Sequence, residues 1–332
     1  MKNFVMPAKA GIQCLLLAVC GLAFAQDTPT PNANDLKPRP AEIAPRALKN
    51  LLLAITRAGE RYVAVGDRGT IAVSADGDKW EQIPSPVHAT LTAVSFADAK
   101  NGWAAGHDAA ILHTTDGGKS WSLQNFQPEL SKPVLALHAL DAQRAFALGA
   151  YGLFLATSDA GATWTHVEAP ELLEDGRHLN SMIRLGNGNL FIAGETGLLA
   201  VSPDGAAWKR LTLPYEGSLF GALPRGERGA MVFGLRGNVL VTDDVHAGKW
   251  TRIETQTVQS MFGGAYLPSG EAALVGADGE ILLIYPAGAV RKARAPHDAR
   301  SLGTLSGVLA RDGELLVVGE LGVSRLNVSA AP

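Results

Sequence analysis

The stretch GWAAGHDAAILHTTDGGKSW, from Gly102 to Trp121, carries the pattern that decides the fold. It contains two short apolar segments joined by a turn that begins at Gly106, followed by the polar ending T-x-D-G-G-x-S-W. Imperfect copies recur at separations of 40 to 45 residues, and they begin at Gly66, Gly106, Gly149, Gly194, Gly234, Gly276 and Gly319. A period of this length, built from short strands without a helical pattern, is typical of β-propeller blades.

Each unit reads as four strands, which in the second unit are LTAVSF, GWAAG, AILHT and SWSLQ. We therefore predict an all-β protein, a seven-bladed β-propeller of four-stranded antiparallel blades over residues 41–329. The seventh unit ends near Val328 without an outermost strand. Residues 41–47 are predicted to supply it, so that an N-terminal strand closes the ring and leaves no free edge.

The N-terminus has the three-part layout of a secretory signal peptide. Lys2 and Lys9 precede the apolar run CLLLAVCGLAF, which ends in a small-x-small motif at Ala25. We predict a signal peptide over residues 1–25, cleaved near Ala25, and export to the periplasm or another extracytoplasmic space. Residues 26–40 then form a proline-rich leader.

The chain's only two cysteines, Cys14 and Cys20, lie inside the predicted signal peptide. A lipid anchor at Cys20 is the alternative, although Val19 stands where such a site needs a small residue. Loss of residues 1–25 takes the formal charge from −3 to −5, because two lysines are removed. A chain with this net negative charge offers no strongly basic surface for nucleic acid, so no nucleic-acid partner is predicted.

The ending TTDGGKSW is interpreted as a structural turn. The carboxylate of Asp116 accepts backbone N–H groups of the turn, Gly118 takes the positive φ, and Trp121 packs between blades. The turn changes length between copies and is lost in the sixth, which favours a structural role over catalysis. The residues assigned to these turns are Asp76, Trp80, Asp116, Gly118, Trp121, Asp159, Gly161, Trp164, Asp204, Trp208, Asp244 and Trp250.

The second unit resembles the Asp-box, or BNR-type, repeat. GWAAGHDAAILHTTDGGKSW is especially similar to the blades of the photosystem II assembly and stability factor family. The resemblance extends over about residues 48–328 and is specific in units one to five. It implies a seven-bladed propeller that acts as a non-enzymatic assembly or docking factor.

Asp-box propellers also include sialidases, so a glycoside hydrolase or a lectin is the alternative. The early F/Y-R-I-P signature of sialidases is absent, and the five tyrosines are spread along the chain. The chain contains no P-loop, H-E-x-x-H or G-x-S-x-G motif and no cysteine pair for zinc. We therefore predict no catalytic residue, no cofactor and no metal. A purely structural surface protein is a third possibility.

Propeller geometry predicts where a partner binds. The turns between second and third strands share one face with the connections between blades, and their mixed charges and aromatic rings suit protein recognition. The candidate partner-binding residues are Arg68, His107, Asp108, Tyr151, His178, Glu195, Tyr215, Arg236 and Arg300. The expected partner of this monomer is an envelope or membrane-complex protein.

Two segments are further candidates for docking. The connection EAPELLEDGRHLN, residues 168–180, is long for a compact domain, and such loops are often functional. The basic stretch RKARAPHDAR, residues 291–300, is a candidate for peripheral contact with anionic lipid or an acidic partner, with an ordinary solvated edge as the alternative.

Overall fold

The computed structural model describes residues 37–293, 302–311 and 313–328. The strands in these ranges form seven antiparallel sheets arranged in chain order, each of them one blade. The predicted seven-bladed, all-β fold is thereby confirmed. Residues 1–36, which hold the predicted signal peptide and most of the leader, lie outside the described residues.

The blades follow the order of the chain from the innermost strand outward. Blade 1 contains β1 Leu52–Ala58, β2 Arg61–Gly66, β3 Ile71–Ser74 and β4 Trp80–Ile83. Blade 2 contains β5 Leu91–Phe96, β6 Gly102–Gly106, β7 Ile111–Thr114 and β8 Ser122–Asn125. Blade 3 contains β9 Val134–Ala139, β10 Ala145–Gly149, β11 Phe154–Thr157 and β12 Thr165–His166. Blade 4 contains β13 Leu179–Arg184, β14 Leu190–Gly194, β15 Leu199–Ser202 and β16 Lys209–Leu211. Blade 5 contains β17 Leu219–Arg225, β18 Gly229–Gly234, β19 Val239–Thr242 and β20 Thr251–Ile253. Blade 6 contains β21 Met261–Tyr266, β22 Ala272–Gly276, β23 Ile281–Ile284 and β24 Val290–Lys292. Blade 7 contains β25 Leu305–Arg311, β26 Glu314–Gly319 and β27 Gly322–Asn327.

Helical structure in the described part is limited to single turns and one short helix, α1 Pro170–Leu173, in the connection between blades 3 and 4. Every residue of β6, β10, β14, β18 and β22 is buried. These second strands pack against a neighbouring blade on each face, which explains why apolar and polar residues alternate only partly along them.

The hydrophobic core is divided into seven layers, one at each junction between adjacent blades. At the junction of blades 1 and 2, for example, Val63 and Val65 pack with Leu91 and Leu112. The last layer closes the ring and is the smallest, with Leu52, Ala64, Ala72 and Val318 as its buried members. Stability therefore comes from face-to-face packing of neighbouring sheets.

A β-bulge at the second residue of each innermost strand lines the central channel with a ring of side chains. The bulged residues are Leu53, Thr92, Leu135, Asn180, Phe220, Phe262 and Ser306. Polar members of the ring bond to the next blade: Asn180 Nδ2 donates to Leu219 O at 2.8 Å, and Ser306 Oγ donates to Leu52 O at 2.7 Å. The second of these bonds joins blade 7 to blade 1.

The N-terminal closing strand predicted over residues 41–47 is not formed. In the described residues blade 7 has three strands, and the N-terminal segment lies along blade 1 instead. Ala41 N donates to Ser85 O at 2.9 Å, and the Gln82 side chain bonds both Glu42 O and Ala44 N. Pro45, inside the predicted strand, lacks an N–H group that a fourth strand of blade 7 would need.

Candidate functional site

The two ends of the ring differ in their loops. We define the turn face as the end of the ring that carries the turns between second and third strands and the connections between blades. These turns are residues 67–69, 107–109, 150–152, 195–197, 235–237, 277–279 and 320–321. The Asp face, at the other end, holds the turns between third and fourth strands. This division follows from the antiparallel order of strands in every blade.

Each turn on the turn face is anchored in the same way. Its first residue donates a backbone hydrogen bond to the carbonyl that precedes the innermost strand, as in Asp67 N to Leu51 O and His107 N to Thr90 O, both 2.9 Å. The equivalent bond is present in every blade, including blade 7, where Glu320 N donates to Thr304 O at 3.0 Å. The side chains of this face therefore project from fixed backbone.

The middle residue of six turns adopts the left-handed conformation, with φ between 51° and 59°. These residues are Arg68, Asp108, Tyr151, Thr196, Arg236 and Asp278. A non-glycine residue there costs on the order of 1 kcal/mol relative to an ordinary conformation. Four of the six belong to the partner-binding set predicted from the sequence.

One group of predicted residues meets at the junction of blades 3 and 4. The rings of Tyr151 and His178 lie edge to face, with centroids 4.9 Å apart. The His178 backbone N–H donates to Glu195 Oε2 at 3.1 Å, and Lys132 Nζ donates to Tyr151 O at 3.0 Å. Tyr151 nevertheless remains 57% exposed, so its ring is available to a partner.

A second group adjoins the first. Tyr215 OH donates to Leu235 O at 3.3 Å, next to Arg236, and burial raises the Tyr215 pKa above its usual value. The Gly197 N–H donates to Gly217 O at 2.9 Å, which links the blade 4 turn to the connection that carries Tyr215. The two groups form one continuous arc over blades 3 to 5.

The remaining predicted residues do not join this arc. Arg68 lies in blade 1 with Nε 3.6 Å from Asp67 Oδ2, and His107 and Asp108 lie in blade 2. A cavity of about 440 Å³ lies there between the N-terminal segment and the turn face, lined among others by Lys37, Arg39, Glu42, His88, Asp108 and Phe126. Arg300 lies outside the described residues.

The two further docking candidates have different outcomes. Leu172, in the connection of residues 168–180, is 2% exposed, and Asp175 pairs with Arg177 and Arg210 at 3.0 and 3.3 Å. This connection is thus anchored to blades 3 and 4. Most of the basic stretch 291–300 lies outside the described residues.

The partner-binding residues predicted from the sequence do not include the exposed aliphatic residues of the turn face. Leu235, Val258 and Leu321 are 37%, 80% and 55% exposed, and all lie on the same face as Tyr151. The turns GLRG and GELG place leucine where other copies carry polar or small residues, so this signal was present in the sequence. Exposed apolar groups beside polar ones mark surfaces for protein contact.

The Asp face is built from a repeated hydrogen-bond network. Asp116 Oδ1 accepts from Lys119 N at 2.9 Å and Ser120 N at 3.0 Å, and Thr114 Oγ1 accepts from Gly118 N at 3.0 Å. Gly118 and Gly161 have φ of 85° and 83°. The indole N–H of Trp80, Trp121 and Trp208 donates to the carbonyl three residues earlier, at 3.0 Å in each case.

Hydrogen bonds to the carboxylates lower the pKa values of several Asp-turn residues. Backbone N–H groups of Lys79 and Asp78 lower the pKa of Asp76 to about 2, and the Thr163 hydroxyl and N–H lower that of Asp159 to about 2. The stabilisation from these groups is complete above their ordinary pKa of 3.8 and is lost as the pH falls toward 2.

Blade 5 departs from this network. Asp244 Oδ1 still accepts from His246 N at 2.9 Å, but the Thr242 hydroxyl donates to Asp244 O rather than to the carboxylate. Within the described residues the buried Trp250 Nε1 has no hydrogen-bond partner. Trp164 also differs, since its Nε1 lies 3.4 Å from Gln124 Oε1.

We expect stability to fall between pH 6.5 and pH 4 because of His138 on β9. Burial, with a smaller contribution from Arg184, lowers its pKa from 6.5 to about 4. In this window the unfolded chain binds a proton that the folded protein does not, so the free energy of unfolding rises with pH. Urea unfolding at several pH values should show a loss of about 1 to 2 kcal/mol, allowing for solvent screening of a partly exposed ring.

The variant His138→Gln should flatten this dependence. Burial also lowers the pKa of His113, so a smaller slope of the same sign remains in the variant. An unchanged slope would show that His138 is not the responsible group.

Within the described ranges no helix is long and apolar enough to cross a membrane. The same residues contain no group of three or more His, Cys, Asp or Glu side chains placed to hold a metal ion. Mixed charges, exposed aromatic and aliphatic groups and a fixed backbone thus characterise the turn face. These features make the turn face a candidate contact surface.

Comparison with known proteins extends this description. No protein-family model matches the chain. It is 31% identical over 83 residues to the chloroplast photosystem II stability/assembly factor HCF136 of Cyanidioschyzon merolae, covering 24% of this chain and 18% of that protein. It is 33% identical over 60 residues to the photosystem II assembly protein Ycf48 of Thermosynechococcus vestitus, covering 18% of this chain and 17% of that protein. The matches thus span less than a fifth of the relatives' length.

The fold similarity extends further. A structure described as YCF48 bound to D1 peptide superimposes with a TM-score of 0.67 at 19% identity, covering 89% of this chain and all of that one. The predicted resemblance to photosystem II assembly and stability factors is confirmed by these comparisons. The curated relatives are described as assembly or stability factors, in agreement with the prediction of a non-enzyme.

Proposed function

We propose that the protein is a non-enzymatic assembly or docking factor that binds a segment of another protein on its turn face. One observation carries this proposal: four of the six exposed large hydrophobic side chains in the described residues, Tyr151, Leu235, Val258 and Leu321, lie on that face. The neighbouring Arg236 and Glu195 supply polar partners. Partly exposed aromatic and arginine side chains dominate binding energy when a partner buries them.

The comparisons support this proposal. Two relatives are photosystem II assembly factors by description, and one propeller of similar shape is described as bound to D1 peptide. A propeller of this shape therefore serves peptide binding in another protein. We extend the proposal to a client in a membrane complex or the envelope, reached after export, on the basis of the signal-peptide layout of residues 1–25.

The arc over blades 3 to 5 is the expected centre of binding. Tyr151 is held by His178 beneath it, and Tyr215 is held by the Leu235 carbonyl, so neither ring loses much rotational freedom on binding. The fixed turns add no ordering cost. Preorganised surfaces of this type suit recognition of an extended segment.

The matched tyrosines Tyr151 and Tyr266 test the choice of face. Tyr151 is 57% exposed on the turn face, and Tyr266 is 37% exposed at the end of β21 on the Asp face. A photo-crosslinking residue at position 151, in cells of the source organism, should capture a membrane or envelope protein that the same residue at 266 does not capture. The captured protein should co-purify with a form of this chain that begins at Gln26.

Affinity for the captured partner supplies the quantitative check. Tyr151→Ala and Arg236→Glu should each weaken binding by about 30-fold, equivalent to roughly 2 kcal/mol, and Tyr266→Ala by less than about twofold. If Tyr266→Ala abolishes binding while Tyr151→Ala does not, the partner uses the Asp face and the proposal is wrong.

A further inference from the structure

The sixth blade lacks the side chain that fills the same position in the blades before it. Strand register defines the position, since Ser74 at the end of β3 pairs with Trp80, and Ile284 at the end of β23 pairs with Val290. The residues that the first five blades place there are Trp80, Trp121, Trp164, Trp208 and Trp250. Blade 6 places a valine there.

In the first five blades this indole fills space against the preceding blade. Trp208 of blade 4 packs on Phe154 of blade 3, with ring centroids 5.5 Å apart, and its N–H donates to Gly205 O. Trp80 of blade 1 joins the layer that contains Val318 of blade 7. In blades 1, 2 and 4 the position combines an apolar wall with a turn carbonyl that accepts the indole N–H.

A cavity of about 440 Å³ lies where blade 6 would place its indole against blade 5. Its apolar wall includes Met231, Val241 and Ile253 of blade 5 and Ile284 of blade 6. Met231, Ile253 and Ile284 are 3%, 9% and 2% exposed. The turn of residues 285–288 forms its other side. Strand register matches Ala287 to Gly77, whose carbonyl accepts the indole of blade 1, although the left-handed residue of this turn is Gly288.

The chain cannot fill this cavity with a tryptophan from its remaining segments. All six of its tryptophans lie within the described residues, and residues 1–36, 294–301, 312 and 329–332 contain none. The rim carries Arg225 paired with Asp243 at 2.8 Å, and Lys249 nearby. Balanced charges around an apolar floor suit a neutral polypeptide segment with one aromatic anchor.

We propose that this cavity is a second binding site, on the Asp face, that takes a tryptophan side chain of a partner polypeptide. The partner's indole replaces the one that blade 6 lacks, and the rim side chains hydrogen-bond its backbone. The site lies on the opposite face from the arc of blades 3 to 5 and is independent of the proposed function.

The probe N-acetyl-tryptophanamide tests the site on the mature protein. With methyl-labelled methionine, the Met231 methyl resonance should shift on titration because the indole ring lies against it, whereas that of Met182, on β13 of blade 4, should not. N-acetyl-alaninamide should shift neither. No shift of Met231, or an equal shift of Met182, overturns the proposal.

A filled-cavity variant gives an independent result. Val290→Trp restores the missing indole and should weaken probe binding by at least about tenfold, while the matched variant Val290→Ala, which leaves the cavity open, should retain it. Undiminished binding to Val290→Trp places the probe elsewhere and overturns the proposal. Binding of free indole without binding of N-acetyl-tryptophanamide would assign the cavity to a small aromatic molecule and overturn the assignment to a polypeptide.

Discussion

Replacing Trp208 with alanine is expected to lower the free energy of unfolding by about 3 to 5 kcal/mol, a large part of the stability of an ordinary domain. Trp208 is 9% exposed, packs on Phe154 and donates its indole N–H to Gly205 O at 3.0 Å. The substitution leaves a cavity between blades 3 and 4 and an unpaired turn carbonyl. Urea unfolding followed by circular dichroism measures the change.

Two controls separate these contributions. Trp208→Phe keeps an aromatic ring against Phe154 and removes the hydrogen bond, so it should cost less than Trp208→Ala. Val258→Ala removes a side chain that is 80% exposed and should change stability by less than about 0.5 kcal/mol. A change for Trp208→Ala as small as that for Val258→Ala would contradict the structural role of the indole.

Replacing Gly106 with alanine is expected to destabilise the protein by about 3 kcal/mol through a steric clash with backbone. A Cβ at this position would lie 2.0 Å from Thr90 O and 2.7 Å from the Leu91 Cα. Neither atom can rotate away, because both are backbone atoms at the entry to the innermost strand. Thermal and urea unfolding provide the measurement.

Gly226→Ala is the matched control for this prediction. Gly226 has φ of 55°, and among the described residues no atom lies within 4 Å of the position that an alanine Cβ would take. Alanine there therefore costs conformational strain alone, on the order of 1 kcal/mol. If Gly106→Ala costs no more than Gly226→Ala, the close approach of Thr90 O does not explain the glycine.

The same close approach explains why the fold could be predicted from the sequence. The glycines that mark the repeat would each place a Cβ 2.0 to 2.3 Å from a carbonyl oxygen, as at Gly66, Gly149 and Gly319. The constraint is local and repeats once a blade, so it leaves a periodic signal. The closing strand could not be predicted in this way, because it depended on whether residues 41–47 paired with blade 7 or with Gln82 and Ser85 of blade 1.

The candidate site was predictable only in part. The turns that carry the site follow from the strand order. Which turns lie next to each other depends on their position around the ring, and this position places Tyr151 beside His178 and leaves Arg68 apart from both. Leu235 and Leu321 do not stand out in the sequence, because a single leucine in a turn gives no sign of whether its side chain is exposed. The loss of the blade 6 tryptophan was visible in the sequence, whereas the cavity that it leaves required the packing of blade 5.

The junction of blades 7 and 1 has a consequence for how the ring moves. Each blade is a separate sheet, so no ladder joins the described strands across any junction. At this one Ser306 Oγ bonds Leu52 O across 254 positions, Arg325 pairs with Asp78 at 2.8 Å, and the core layer is the smallest of the seven. Local opening starts where few buried groups and no backbone ladder hold two elements together. We therefore expect local opening of the ring to begin at this seam, where the fewest buried side chains join two blades, while every sheet stays intact.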